Sequence, residues 1–242
     1  GTATTGETIL RAVEDTRRWV DTNTNLGIVL LFAPVARAAA VAAEGEPGPA
    51  GGADLGRALA DVLSSTTVRD AELAYRAIRI AEPGGMGRVP EQDVSGRPTV
   101  SLREAMRRAA DRDAVAEQYA TGYGLLRTVG VPAVRAARDD GLAWPEAAHR
   151  CFVRLLAERP DSLVARKFGR EEAEALREEA RTLASEGPPE SPEAASGWEA
   201  LDRHLRSASP PRNPGTTADL TAASLFLALL GEAGWNYPGH GP

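Results

Sequence analysis

Apolar residues recur at every third or fourth position along nearly every long segment of the chain, with Ala, Leu, Arg and Glu filling the places between them. That period predicts helices throughout, and no stretch alternates in the manner of a strand. Ile9, Val13 and Trp19 predict a first helix ending near Asp21. Leu26 to Ala43 predicts a second, kinked at Pro34. Two more follow over Leu55 to Leu63 and Asp70 to Ala81, the latter with Leu73, Ala77 and Ile80 on one face. Helices are then expected over Leu102 to Asp111, Ala114 to Leu126, Pro132 to Asp139 and Pro145 to Glu158, with another starting at Glu171. Trp198 to Leu205 and Thr216 to Leu230 complete the set. The pattern therefore predicts an all-α fold, a single compact multi-helix domain of about ten or eleven helices with no internal repeat.

The gaps between these runs read as loops. EGEPGPAGG (44–52) is a connector, and SEGPPESPEAASG (185–197) is a polar, Pro-rich linker. The stretch 82–99 has too many prolines and glycines for a regular element, and its length suggests a lid. The tail from 234 to 242 should be irregular.

Composition narrows the function classes. A net charge of −6 and a pI near 5.3 argue against a nonspecific nucleic-acid surface. The uncharged run from Thr22 to Ala36 falls short of the roughly 20 residues that cross a bilayer, so neither nucleic acid nor membrane is an expected partner. The single cysteine, Cys151, permits no internal disulfide, and with no signal peptide in evidence the expected compartment is the cytoplasm. Lys167 is the only lysine in a chain that otherwise uses arginine for every basic position.

Four polar clusters interrupt or cap the apolar helices. In DTNTNLG (21–27), Asn23, Thr24 and Asn25 are good caps for the buried helix that follows, and three such residues could also hold a ribose hydroxyl or a phosphate oxygen. The glycines of EPGGMGRVPEQD (82–93) would let backbone approach a phosphate, although the spacing is not that of a P-loop. In ERPDSLVARKFG (158–169), Asp161 can cap a short helix, and Arg166 and Lys167 can serve either its C-terminus or a triphosphate. The last cluster, PRNPGTTADL (211–220), combines Arg212, the Asn213-Pro214-Gly215 turn and Thr216 into an anion-binding helix start. Its Asp219 would repel a phosphate unless a cation lies between them, and Thr216 with Asp219 three residues on also spells a capping box. His149 and His204 have no metal-ligand spacing, and Cys151 reads as core.

Taken in order, these clusters resemble the triphosphoribosyl-dephospho-CoA synthase family, with NTNLG and NPGTTADL as the most specific matches and the similarity running from about Asp21 to Leu230. The family is all-helical and attaches the triphosphoribosyl group of ATP to a hydroxyl of 3′-dephospho-CoA with loss of adenine. The resemblance implies ATP as substrate, Mg²⁺ as cofactor and a dephospho-CoA-like acceptor, with a second copy of the chain or a separate N-terminal segment as further partners. It nominates Asn23, Thr24, Arg166, Asn213 and Gly215 for nucleotide and phosphate binding, and the chemistry of the residues themselves adds Asn25, Lys167, Arg212 and Thr216. Asp161 and Asp219 are nominated both as metal ligands, since Mg²⁺ often binds through one or two carboxylates plus phosphate, and as catalytic groups, either one serving as base.

Two departures qualify the match. The family has His and Lys where this chain has Asn25 and Leu26, and its Lys-Pro-Gly segment before the first matched helix is absent. A divergent branch, found in archaea and methylotrophic bacteria, is the nearer resemblance, which opens a C1-carrier coenzyme intermediate as an alternative acceptor. A catalytically silent helical nucleotide-binding module is the alternative from another class.

Overall fold

In the computed structural model, residues 3–22, 25–44, 54–83, 92–207 and 211–235 are described, all but Glu193 with their side chains. Among them the regular structure is helical: α1 (Thr5–Arg17), α2 (Leu26–Ala43), α3 (Leu55–Ser64), α4 (Val68–Ala81), α5 (Leu102–Arg107), α6 (Ala114–Thr121), α7 (Val131–Asp139), α8 (Trp144–Glu158), α9 (Ser162–Phe168), α10 (Arg170–Glu186), α11 (Pro192–Ser207) and α12 (Gly215–Glu232). The chain divides into two compact units, Gly1–Gly124 with Leu229–Pro242, and Leu125–Ala228.

The first unit is built around a proline. Pro34 in the middle of α2 has no N–H to give to the Leu30 carbonyl one turn earlier, and a buried orphan carbonyl is costly. One tyrosine answers it, and a second serves the next carbonyl along. Tyr119 on α6 donates its hydroxyl to Leu30 O at 2.6 Å, and Tyr123 donates to Leu31 O at 2.6 Å. Both rings are fully buried, and burial drives the Tyr119 phenol far above its usual pKa, so it remains a donor. This demand also explains why the helix expected to run from Ala114 to Leu126 stops at Thr121. Gly122 and Tyr123 take left-handed conformations at φ 63° and 63°, which swings the second tyrosine toward α2 at a backbone cost of about 1–3 kcal/mol for a non-glycine residue.

α2 is the one helix among the described residues whose length and apolarity would also suit a bilayer. Here Leu30, Leu31, Ala33, Pro34, Val35 and Ala38 are buried in the protein. α1 and α4 pack backbone to backbone: a Cβ on Gly6 would lie 2.6 Å from the Asp70 Cα, so only glycine fits. Asp70 binds both helix starts, accepting from Gly6 N at 2.8 Å and from Thr67 N and Oγ1 at 2.8 and 2.7 Å.

The second unit opens on a π-turn over Leu126–Gly130, widened ahead of Pro132, which lacks the N–H an α-turn would use. Gly130 lies against α12, where an added Cβ would be 2.0 Å from Ser224 Oγ. The core of this unit gathers Val153 and Leu156 of α8, Val164 of α9, Leu176 of α10, and Trp198 and Leu201 of α11. α11 is longer than expected. Its first six residues fall inside the segment that reads as a linker, of which only residues 187–191 are non-helical. Ser191 bonds the Ala194 N–H through its hydroxyl, Pro192 suits a first turn, and Ala194, Trp198, Leu201 and Leu205 form one buried stripe.

Two outcomes test these devices. Tyr119→Phe strands the Leu30 carbonyl in the core and should lower the unfolding free energy by about 2 kcal/mol in urea titrations. Burial raises the Asp70 carboxyl, but the donors at Gly6 and Thr67 outweigh it and hold it below its ordinary 3.8. A depressed carboxylate contributes stability that is present above the ordinary value and lost as pH falls through the folded one. Asp70→Asn, less stable at pH 7, should therefore show a shallower loss of stability below about pH 4.

Candidate functional site

The third and fourth polar clusters meet at one buried carboxylate. Asp161 precedes α9, and its Oδ1 accepts from Leu163 N at 2.8 Å and Val164 N at 2.9 Å, the N-cap its sequence position suggested. Its Oδ2 reaches 56 residues along the chain to the first turn of α12, where it accepts from Thr217 N at 2.7 Å and Thr217 Oγ1 at 2.8 Å. Beside it, Ser162 Oγ and Thr216 Oγ1 are 3.1 Å apart, both buried. One carboxylate thus ties the starts of two helices together, with the partial positive charge of both helix ends directed at it.

This arrangement replaces the expected capping box. α12 begins at Gly215, so Thr216 and Asp219 lie inside the helix and cannot reach back to cap each other. The cap comes instead from Asp161, a partner that no local reading of PRNPGTTADL could supply. Asp219 sits half-buried one turn into α12.

The fit of a divalent cation can be judged from the donor set. Asp161 is 2% exposed and four donors already occupy its two oxygens. Burial raises its carboxyl above the ordinary value, opposed by the N–H groups of Val164, Thr217 and Leu163 and the Thr217 hydroxyl. A cation at Asp161 would have to displace at least one of those donors and leave it buried without an acceptor, at about 1–3 kcal/mol. The described residues contain no group of three or more His, Cys, Asp and Glu placed to hold a metal. An Asp161–Asp219 magnesium site therefore does not fit the observed bonding.

The other nominated residues separate by environment. Arg212 forms an ion pair with Glu172 of α10 at 2.6 Å and lies over the Phe168 ring, so its charge is used to pin the segment ahead of α12. Thr216 is buried, and its hydroxyl oxygen accepts from Ser162 Oγ. Lys167 at the end of α9 and Asn213 ahead of α12 are exposed, while Arg166 and Gly215 are half-buried. In the other unit, Asn25 stands at the N-cap position of α2 but makes no cap bond; its amide donates to Thr16 Oγ1 at 3.0 Å, bridging back to α1. Asn23, Thr24 and most of the glycine loop lie outside the described residues. Cys151 is fully buried, which pushes its thiol up to about 12 and leaves it no role as a nucleophile at neutral pH.

A groove of about 960 Å³ in the second unit escaped the sequence reading. It is lined by α8 and α11 and by Asn213 and Pro214. Its main wall, Trp198 to Arg206, belongs to the helix whose first six residues read as linker, and the 194/198/201/205 spacing was the signal that could have disclosed it.

Comparison with known proteins agrees with this architecture over nearly its whole length. Residues 1–237 match the family model described as ATP:dephospho-CoA triphosphoribosyl transferase. A crystal structure of an Archaeoglobus fulgidus protein, described as a triphosphoribosyl-dephospho-CoA synthase, is similar with a TM-score of 0.68 and 27% sequence identity. That similarity covers 96% of this chain and 90% of the archaeal one. Among curated proteins none matches.

Removing the staple should be costly. Asp161→Asn sets an amide N–H against donors at one of the two helix starts, and the unfolding free energy in urea should fall by about 2–3 kcal/mol. Thr217→Val keeps the backbone bond and loses only the hydroxyl, so about 1 kcal/mol is expected from the same titration.

Proposed function

Because the chain belongs to the ATP:dephospho-CoA triphosphoribosyl transferase family and is a transferase, we propose that it moves the triphosphoribosyl group of ATP onto a hydroxyl of 3′-dephospho-CoA or a close relative, releasing adenine. The observation that carries this reading is the family match across residues 1–237, seconded by the 27% identical archaeal structure.

In this reaction the acceptor oxygen bonds to C1 of the ATP ribose as the bond from C1 to adenine N9 breaks. The proton of the acceptor hydroxyl leaves with a base, and adenine takes up a proton as it departs. The sugar carries positive charge at the transition state, so the protein's contribution is orientation of the two substrates and placement of negative charge near the ribose. We assign the base to Asp219, one turn into α12 and half-buried, where a carboxylate can both accept a proton and face a cationic sugar. Asp161 acts as a positioning residue: its four hydrogen bonds set the start of α12 and hence the placement of Asp219 and of the Asn213-Pro214-Gly215 turn. Arg166 and Lys167, in the last turn of α9, are assigned to the triphosphate. Asn213 is assigned to ribose and phosphate oxygens. Magnesium enters as the counter-ion of ATP, part of the substrate, consistent with its preference for phosphate oxygens and retained waters.

Incubation of the protein with Mg-ATP and dephospho-CoA, followed by chromatography and mass spectrometry, should yield adenine and a triphosphoribosylated acceptor in equal amounts. Asp219→Asn should remain folded by circular dichroism and lose about 10²–10⁴ in kcat. Absence of adenine from the wild-type reaction would refute the proposed transfer, and an active Asp219→Asn would refute the assigned base.

A further inference from the structure

We infer that the groove between α8 and α11 holds the uncharged pantetheine arm of the acceptor, an inference that rests on the transferase reading above. Four observations point there. The size of the groove, about 960 Å³, lies at the upper end of what small-molecule sites occupy. Its lining is apolar where α8 and α11 face each other, with Phe152 and Leu156 opposite Trp198 and Leu201. Its lining includes Asn213 and Pro214, so a molecule lying in it meets the turn that leads into α12.

Charge separates the arm from the other parts of the substrates. The carboxylates on the lining, Glu199 and Asp202, are matched by Arg203 and Arg206, with the pairs at 3.8 and 2.7 Å. A rim neutralised within itself offers no net attraction to a triphosphate or a pyrophosphate, whereas an amide-bearing aliphatic chain needs none. The fourth observation concerns Trp198, which is 6% exposed and lines the groove, yet whose buried indole N–H has no acceptor. An indole N–H normally finds a partner when buried, and leaving it unmade costs about as much as the bond is worth. The two amide carbonyls of a pantetheine arm are acceptors of the required kind.

The experiment uses the full chain and two probes. Ligand-observed NMR with pantetheine under reducing conditions should detect binding to the wild type. The signal should be lost in Ala195→Trp, which narrows the groove from its α11 side, and weakened in Trp198→Phe, which keeps a ring and removes the donor. In steady-state adenine release, Ala195→Trp should raise KM for dephospho-CoA about tenfold and Trp198→Phe about fivefold, with KM for ATP unmoved. Thermal melts identify a variant that has failed to fold, and the other variant then carries the test. Pantetheine binding by the wild type that both folded variants retain unchanged, or no binding at all, overturns the inference. Binding that follows the variants without adenine release sustains the groove assignment and sinks only the transfer reaction.

Discussion

A carboxylate buried among four donors is the constraint on which the second unit is organised. Asp161 lies near the start of α9 and reaches the start of α12, and each helix end presents N–H groups that water cannot serve at that depth. The chain between them, residues 162–216, must return to within hydrogen-bond reach, and α10 and α11 accomplish that return. The groove, the Asn213-Pro214 turn and the position of Asp219 on α12 all follow from where this closure sets the first turn of the last helix.

The first unit uses the same chemistry for another purpose. Asp70 joins the starts of α1 and α4 through Gly6 N and the Thr67 N–H and hydroxyl, and its carboxyl is held below its ordinary value, while the deeper Asp161 is raised. In a chain whose cores are rich in Ala, helices approach closely and their ends are brought into the interior. Acidic side chains with short stems are suited to satisfy those ends without adding volume. Pro34 poses the same accounting problem in mid-helix, and the Tyr119 hydroxyl solves it, with Tyr123 on the adjacent carbonyl. Polar groups in this fold are spent mainly on backbone, which is why several residues that look available for a ligand in sequence turn out to be engaged.

Most of the architecture was legible in the apolar period. α2 has the bounds its hydrophobic run predicts, and α7, α8 and α12 begin and end within one or two residues of expectation. The misses have physical causes. α6 ends early because Tyr123 is required on α2, a long-range demand invisible to a helical pattern. The first turns of α11, ahead of the predicted Trp198–Leu205 helix, look like linker because prolines and serines dominate them, although Ser191 and Pro192 are helix-opening residues. The candidate site was legible as a set of residues and not as a set of bonds. Asp161 and the α12 start belong together, as the order of motifs suggested, yet the local capping box concealed that Thr217 is capped from 56 residues away. Arg212 and Thr216 carry the right chemistry for phosphate but are committed to Glu172 and Ser162.

The central claim is that Asp161 anchors two helix starts and does not turn outward to a metal when substrate arrives. Amide hydrogen exchange at Thr217, followed by NMR with and without Mg-ATP, tests it directly. The expected result is a strongly protected Thr217 amide whose exchange is unchanged or slower in the presence of Mg-ATP. Faster exchange at Thr217 on adding Mg-ATP, with Leu163 or Val164 following, would mean that the carboxylate has left its donors for the cation, and would contradict it.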